Sequence, residues 1–151
     1  MSDLRDLYQE VILDHSKHPR HFQALEHADR SADGYNPLCG DKITVFLRTK
    51  DGRIEEAAFQ GSGCAISMAA ASLMTLAIRG STTEELEETF RAFHDMVTGQ
   101  VDDEDRVSAR LGKLIVFAGV CKFPVRVKCA TLAWHTARAA MAQRPEPVST
   151  E

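Results

Sequence analysis

The chain has little of what marks a nucleic-acid binder, a membrane span or a disulfide scaffold. It holds one tryptophan and two tyrosines in 151 residues, with a formal charge of -4. Sparse aromatics on an acidic chain weigh against nucleic-acid and anionic-membrane binding. The most apolar stretch, Cys64 to Ile78, is broken by Ser67, Ser72 and Thr75 and falls short of the ~20 residues a spanning helix needs. The opening Met1-Ser2-Asp3-Leu4-Arg5-Asp6 alternates charge with apolar residues, so it lacks a signal-peptide core. These absences lead us to expect a cytoplasmic protein with no nucleic-acid or membrane partner. There is no CxxC pair, P-loop, nucleophile elbow, dinucleotide glycine fingerprint or HExxH pattern.

What is present is ordinary globular composition, 44% apolar and 26% charged, at a length that suits one domain. Leu4, Leu7, Tyr8, Val11, Ile12 and His15 recur at helical spacing, predicting an amphipathic helix over 3–17. Residues 20–40 carry weak periodicity, and a short strand there cannot be placed. Ile43, Val45 and Leu47 alternate with polar neighbours, Asp51-Gly52 reads as a hairpin turn, and residues 54–60 form the return strand. Gly61-Ser62-Gly63 then leads through Cys64 into a helix ending near Gly80. Ser81 to Glu84 offers a capping-box start for a helix to about Thr98. A short helix over 108–117, a break from Gly119 to Pro124 and a last helix over 126–143 follow. From Pro145 onward the tail is expected to be loose. The expected fold is α+β: one domain over 1–144, with a small antiparallel sheet packed against several helices.

Charge is segregated. Residues 81–105 hold nine acidic side chains and one basic, whereas residues 106–144 hold eight basic and no acidic ones. The two segments can pair with each other, or the basic one can dock an acidic protein.

The four cysteines lie at 39, 64, 121 and 129. In a reducing compartment they read as thiols, metal ligands or catalytic groups rather than disulfides. Cys39 sits in a turn-rich loop with Asp41 two residues on, so one turn can present a thiolate and a carboxylate to one metal. Cys64 opens a helix and Cys129 falls in the first turn of another, where the helix N-terminus favours a thiolate. Three thiolates and Asp41 would complete a tetrahedral zinc site, and Cys121 lacks comparable placement. Spacing alone leaves equally open that these are small buried hydrophobes. His15, His18, His21, His94 and His135 read as surface or core-edge residues, and Met68, Met74 and Met96 as core fillers.

Several segments together resemble a known family. Leu7-Tyr8-Gln9-Glu10-Val11-Ile12-Leu13-Asp14-His15 with Pro19-Arg20 resembles the opening of the U-type iron–sulfur cluster assembly proteins. Asn36-Pro37-Leu38-Cys39-Gly40-Asp41, Gly61-Ser62-Gly63-Cys64-Ala65-Ile66-Ser67 and Phe123-Pro124-Val125-Arg126-Val127-Lys128-Cys129-Ala130 resemble their three metal-ligand loops, in the same order. The chain is thereby identified as a SufU-type member of the IscU/NifU-N-like family. IscU-type proteins carry histidine where this chain has Lys128, and residues 81–105 resemble the helical insertion of SufU-type proteins.

The resemblance implies a metal site at one end of the fold, with Cys39, Asp41, Cys64 and Cys129 as zinc ligands. It further implies a zinc-dependent sulfurtransferase of the SUF system. Cys39 would accept persulfide sulfur from a PLP-dependent cysteine desulfurase (SufS-like) and pass it towards downstream Fe–S scaffold proteins. Such an acceptor can be a co-substrate of its partner rather than an enzyme. Arg126 and Lys128 are expected to face the desulfurase, because burying an unpaired cation is expensive. Two other readings stay open: a scaffold holding iron or a transient 2Fe-2S cluster on the same ligands, and a structural zinc adaptor. Lys128 in place of histidine weighs against the first, and an aspartate ligand against the second.

Overall fold

The structure, a computed structural model, describes residues 2–100 and 109–150. Helix α1 (Ser2–Lys17) leads into strands β1 (Arg30–Asn36), β2 (Asp41–Lys50) and β3 (Arg53–Ser62). Helices α2 (Ala65–Ile78) and α3 (Thr83–Val97) follow. A 3₁₀ segment (Gly112–Lys122), helix α4 (Pro124–Met141) and the short strand β4 (Val148–Ser149) complete the order. The sheet order is β3-β2-β1-β4, with β1–β2 and β2–β3 antiparallel. Asp51 and Gly52, at φ 54° and 78°, make the two-residue turn that the Asp-Gly pair predicts. No described helix is long and apolar enough to cross a membrane.

Helices α2 and α4 lie against one face of the sheet, α1 packs on α2, and α3 and the 3₁₀ segment pack on α4. The inward positions Ile43, Val45 and Leu47 of β2 and Ile54 and Phe59 of β3 are at most 2% exposed. Opposite them, α2 buries Met68 to Thr75 continuously, so it is a core helix rather than an amphipathic one. Trp134 of α4 stacks on Phe93 of α3, their centroids 5.2 Å apart, and Phe93 meets Phe117 edge-on at 5.8 Å. Met68, Met74 and Met96 are core residues, as expected.

The sequence could not place β1, and the reason is visible. Its inward residues are Ala32, Gly34 and Asn36, which carry no hydrophobic alternation. Helix α4 presses close at this point: a Cβ on Gly34 would lie 2.1 Å from Thr136 Oγ1 and 3.1 Å from Leu132 Cδ1. Small residues are therefore imposed by a neighbour about one hundred residues away in sequence, not by local propensity.

Four boundaries differ from expectation. The capping box is formed by Thr82 and Glu85, one residue later than Ser81 and Glu84, because Ser81 gives its carbonyl to the amide of Ile54 at 2.9 Å. The expected short helix is 3₁₀ in character and runs on to Lys122; residues 101–108 lie outside the described residues. Helix α4 begins at Pro124, where proline's fixed φ suits the first helical position. The tail is not loose throughout: Val148 and Ser149 pair in parallel with Gly34 and Tyr35, making the sheet mixed. Val148 packs against the core, which gives the tail an apolar anchor.

Charge pairing between the acidic and basic segments is partly realised. Arg138 holds Glu87 with two hydrogen bonds of 2.7 and 3.0 Å and covers the Phe90 ring, while Arg110 meets Glu88 at 2.6 Å.

Candidate metal centre

Three elements bring the sequence-selected ligands to one end of the sheet. The last register pair of the β1–β2 hairpin is Asn36 opposite Asp41, and Pro37 to Gly40 form the turn between them. Gly40 adopts φ 71°, a left-handed conformation that glycine takes without strain. The turn lifts Cys39 into partial exposure, while Asp41 at its base is 1% exposed. Cys64 caps α2, its sulfur accepting the Ser67 amide at 3.4 Å. Cys129 on α4 is fully buried, and its thiol donates to Cys39 Sγ at 3.1 Å.

Ligand atoms of Cys39, Asp41 and Cys129 all lie within 4.8 Å of one another. A tetrahedral zinc with Zn–S of about 2.3 Å and Zn–O of about 2.0 Å sets its ligands roughly 3.5–3.8 Å apart, so small adjustments suffice. Cys64 falls outside that tightest group, yet its amide donates to Asp41 Oδ1 at 2.9 Å and its sulfur interacts with Cys129. The donor set of three thiols and one carboxylate suits zinc, and the thiols suit an iron–sulfur centre as well. Lys128 is half-buried beside the site and is not part of the ligand group.

Protons are shared unequally among the thiols. The neighbouring Cys129 sulfur, followed by amides of the first turn of α2, holds the Cys64 thiol down to about 6 against the opposing effect of burial. Cys129 is pushed the other way, first by the Cys64 sulfur and then by burial, with Cys39 and Asp41 adding to it. This corrects the expectation that a helix N-terminus favours the Cys129 thiolate. The helix starts at Pro124, so Cys129 lies in its second turn, and the terminal field fades within the first.

The remaining sequence candidates lie elsewhere. Cys121, half-buried, donates to the Ala118 carbonyl at 3.4 Å and packs against Gly99. His15 is buried with Nδ1 2.7 Å from Ser72 Oγ, and His21 bonds Thr75. His94 and His135 flank the Phe90 ring, half-buried at the core edge. Arg126 is exposed, with Nη1 3.8 Å from Cys39 Sγ. Leu38, next to Cys39 in sequence, and Phe123 and Val125, at the start of α4, are 64%, 62% and 55% exposed.

Two contributors went unassigned in the sequence. Gly63 reads as turn punctuation, but a Cβ there would lie 2.4 Å from Asp41 Oδ1, so the carboxylate occupies the space a side chain would need. Asn36 reads as a turn residue, but its side chain points inward onto Asp41 and Cys129.

The profile of the NifU-like N terminal domain matches residues 7–130. The chain belongs to that family. It is 42% identical over 133 residues to the "Zinc-dependent sulfurtransferase SufU" of Bacillus subtilis, covering 88% of each chain. It is 40% identical over 141 residues to the "Iron-sulfur cluster assembly scaffold protein IscU" of Streptococcus pyogenes, covering 93% of this chain and 86% of that one. Among solved structures, a putative scaffold protein for the SUF system from Fervidobacterium islandicum superposes with a TM-score of 0.81 at 34% identity, covering 91% of this chain and 98% of that one. The SufU-type, IscU/NifU-N-like membership drawn from the motifs is thereby shown, as is the α+β fold.

Proposed function

We propose that this NifU-N family member is a cytoplasmic iron–sulfur cluster assembly protein acting as a zinc-dependent sulfur acceptor for a PLP-dependent cysteine desulfurase of the SufS kind. Cys39, Asp41, Cys64 and Cys129 would hold the zinc, which keeps thiol ligands deprotonated when bound. The observation that carries the reading is the unequal anchoring of the three thiols. Cys129 is sealed in the core and Cys64 is fixed as a helix cap, whereas Cys39 rides a four-residue turn and is partly exposed.

A Cys39 thiolate attacks the terminal sulfur of the partner's cysteine persulfide. A new S–S bond forms on Cys39, the old one breaks, and the partner's cysteine leaves as its thiolate; no outside oxidant or reductant is needed. The sulfur then passes to downstream scaffold proteins. Arg126 is placed to attract an anionic persulfide, since its guanidinium stands beside Cys39 in solvent. The exposed Leu38, Phe123 and Val125 supply the apolar contact a docking protein buries. Lys128 joins this face.

The test is sulfur transfer from a persulfidated desulfurase, followed by mass spectrometry. The intact chain should gain 32 Da per sulfur accepted (roughly, one S atom), and Cys39→Ala should not. Persulfide on Cys39→Ala at the wild-type rate would overturn the assignment. The IscU relatives favour a second reading, a scaffold for a transient 2Fe-2S cluster. Iron and acid-labile sulfide in a brown, gently purified sample support it, whereas about one zinc per chain in a colourless sample supports transfer. Partner activation retained by Cys39→Ala would point to a structural zinc adaptor instead.

A further inference from the structure

We infer that Asn36 is a positioning residue of the metal site, tying Cys39, Asp41 and Cys129 into one preset geometry. This rests on the metal-binding reading above. Asn36 is fully buried at the last register position of β1. Its Nδ2 donates one hydrogen to Asp41 Oδ2 at 3.1 Å and the other to Cys129 Sγ at 3.3 Å. Its backbone carbonyl accepts the Cys39 amide at 3.3 Å. One residue therefore touches three of the four proposed ligands.

The orientation of the amide follows from its neighbours. Turned over, the carbonyl would face a carboxylate that has no proton to give, so the NH₂ group points at Asp41 and Cys129. That choice leaves Asn36 Oδ1 buried with no hydrogen-bond partner. A buried polar atom left unpaired destabilises a fold, so packing does not account for an asparagine here. Its role lies in what Nδ2 does.

Asp41 Oδ1 is already held by the Cys64 amide at 2.9 Å and lies under Gly63. With Oδ2 held by Asn36, the carboxylate plane is fixed from both ends, and each oxygen keeps a lone pair free for a cation. The bond to Cys129 Sγ sets an N–H donor against that sulfur from the end of β1. Three thiolates and a carboxylate around a divalent ion leave a net charge of about −2 in a mostly buried place, which needs such donors.

The experiment uses the full chain stripped of metal, with Asn36→Leu, which keeps the volume, and Asn36→Ala. Zinc affinity is read by competition with a chromophoric chelator, and coordination by the visible spectrum of the cobalt(II)-loaded protein. Loss of an outer-shell partner of this kind weakens metal binding by about 10–100-fold. We expect that loss in both variants, with an altered cobalt spectrum, beyond what any fall in metal-free melting accounts for. Equal zinc affinity and an unchanged spectrum would overturn the inference and leave the metal reading intact. Zinc lost only in step with the folded fraction, with the cobalt spectrum of the folded protein unchanged, would also overturn it, since Asn36 would then be structural. A wild-type chain that binds no zinc would overturn the metal reading itself.

Discussion

Gly63→Ala tests the geometry of the site without replacing any proposed ligand. The new Cβ would lie 2.4 Å from Asp41 Oδ1, 3.0 Å from its Cγ and 3.1 Å from its Cβ, so the whole side chain is in the way. Ordinary van der Waals contact begins about 1 Å further out. Asp41 has no easy escape, because it is 1% exposed and bonded at both oxygens. Overpacking of this kind costs about 1–3 kcal/mol. A displaced carboxylate also loses its bond to the Cys64 amide, a charged hydrogen bond contributing about 1.5–3 kcal/mol. Because relief of the clash trades one loss against the other, the expected total is about 2–4 kcal/mol. At roughly 2–4 °C per kcal/mol for a chain of this size, the metal-free Tm should fall by about 5–15 °C. Calorimetry with and without zinc reads the effect, and zinc stoichiometry should fall with it. Gly119→Ala is the control, since nothing lies within 4 Å of a Cβ there. A Gly63→Ala chain that melts with wild type and takes up the same zinc refutes the close approach.

Two further outcomes follow from the surroundings of the core and the site. Burial, aided by the Arg20 and Lys113 charges against Asp14, lowers the His15 pKa below its ordinary 6.5. The unfolded chain then binds this proton more readily, so stability is lost as pH falls below about 6.5. The drop in Tm between about pH 7 and pH 5 should be smaller in His15→Gln than in wild type, and parallel curves would show that His15 carries none of it. Reversing the exposed Arg126 beside Cys39 to Glu should weaken activation of the desulfurase with zinc content intact, and loss of zinc would mark the residue as structural.

The sequence made some of this architecture legible because the signals were local. Asp51-Gly52 specified its turn by backbone chemistry, and Cys64 behind Gly-Ser-Gly specified a helix start. What stayed hidden depended on distant partners. Strand β1 has small inward residues because α4 crowds it. The shifted capping box reflects Ser81 bonding to β3. A start of α4 read two residues late puts Cys129 in the first turn, although Pro124 marks the true start. Asn36 and Gly63 looked like turn residues, since nothing in one dimension says that Asp41 fills the space beside both.

Cys129 touches Cys39 across ninety residues of chain. During synthesis, the hairpin and α2 emerge long before the fourth proposed ligand does. A metal met at that stage finds only a partial set of the proposed donors, so the full site is completed only when α4 docks. Zinc content would then report completed folding of the domain, and any variant that frees α4 should lose metal before it loses the hairpin.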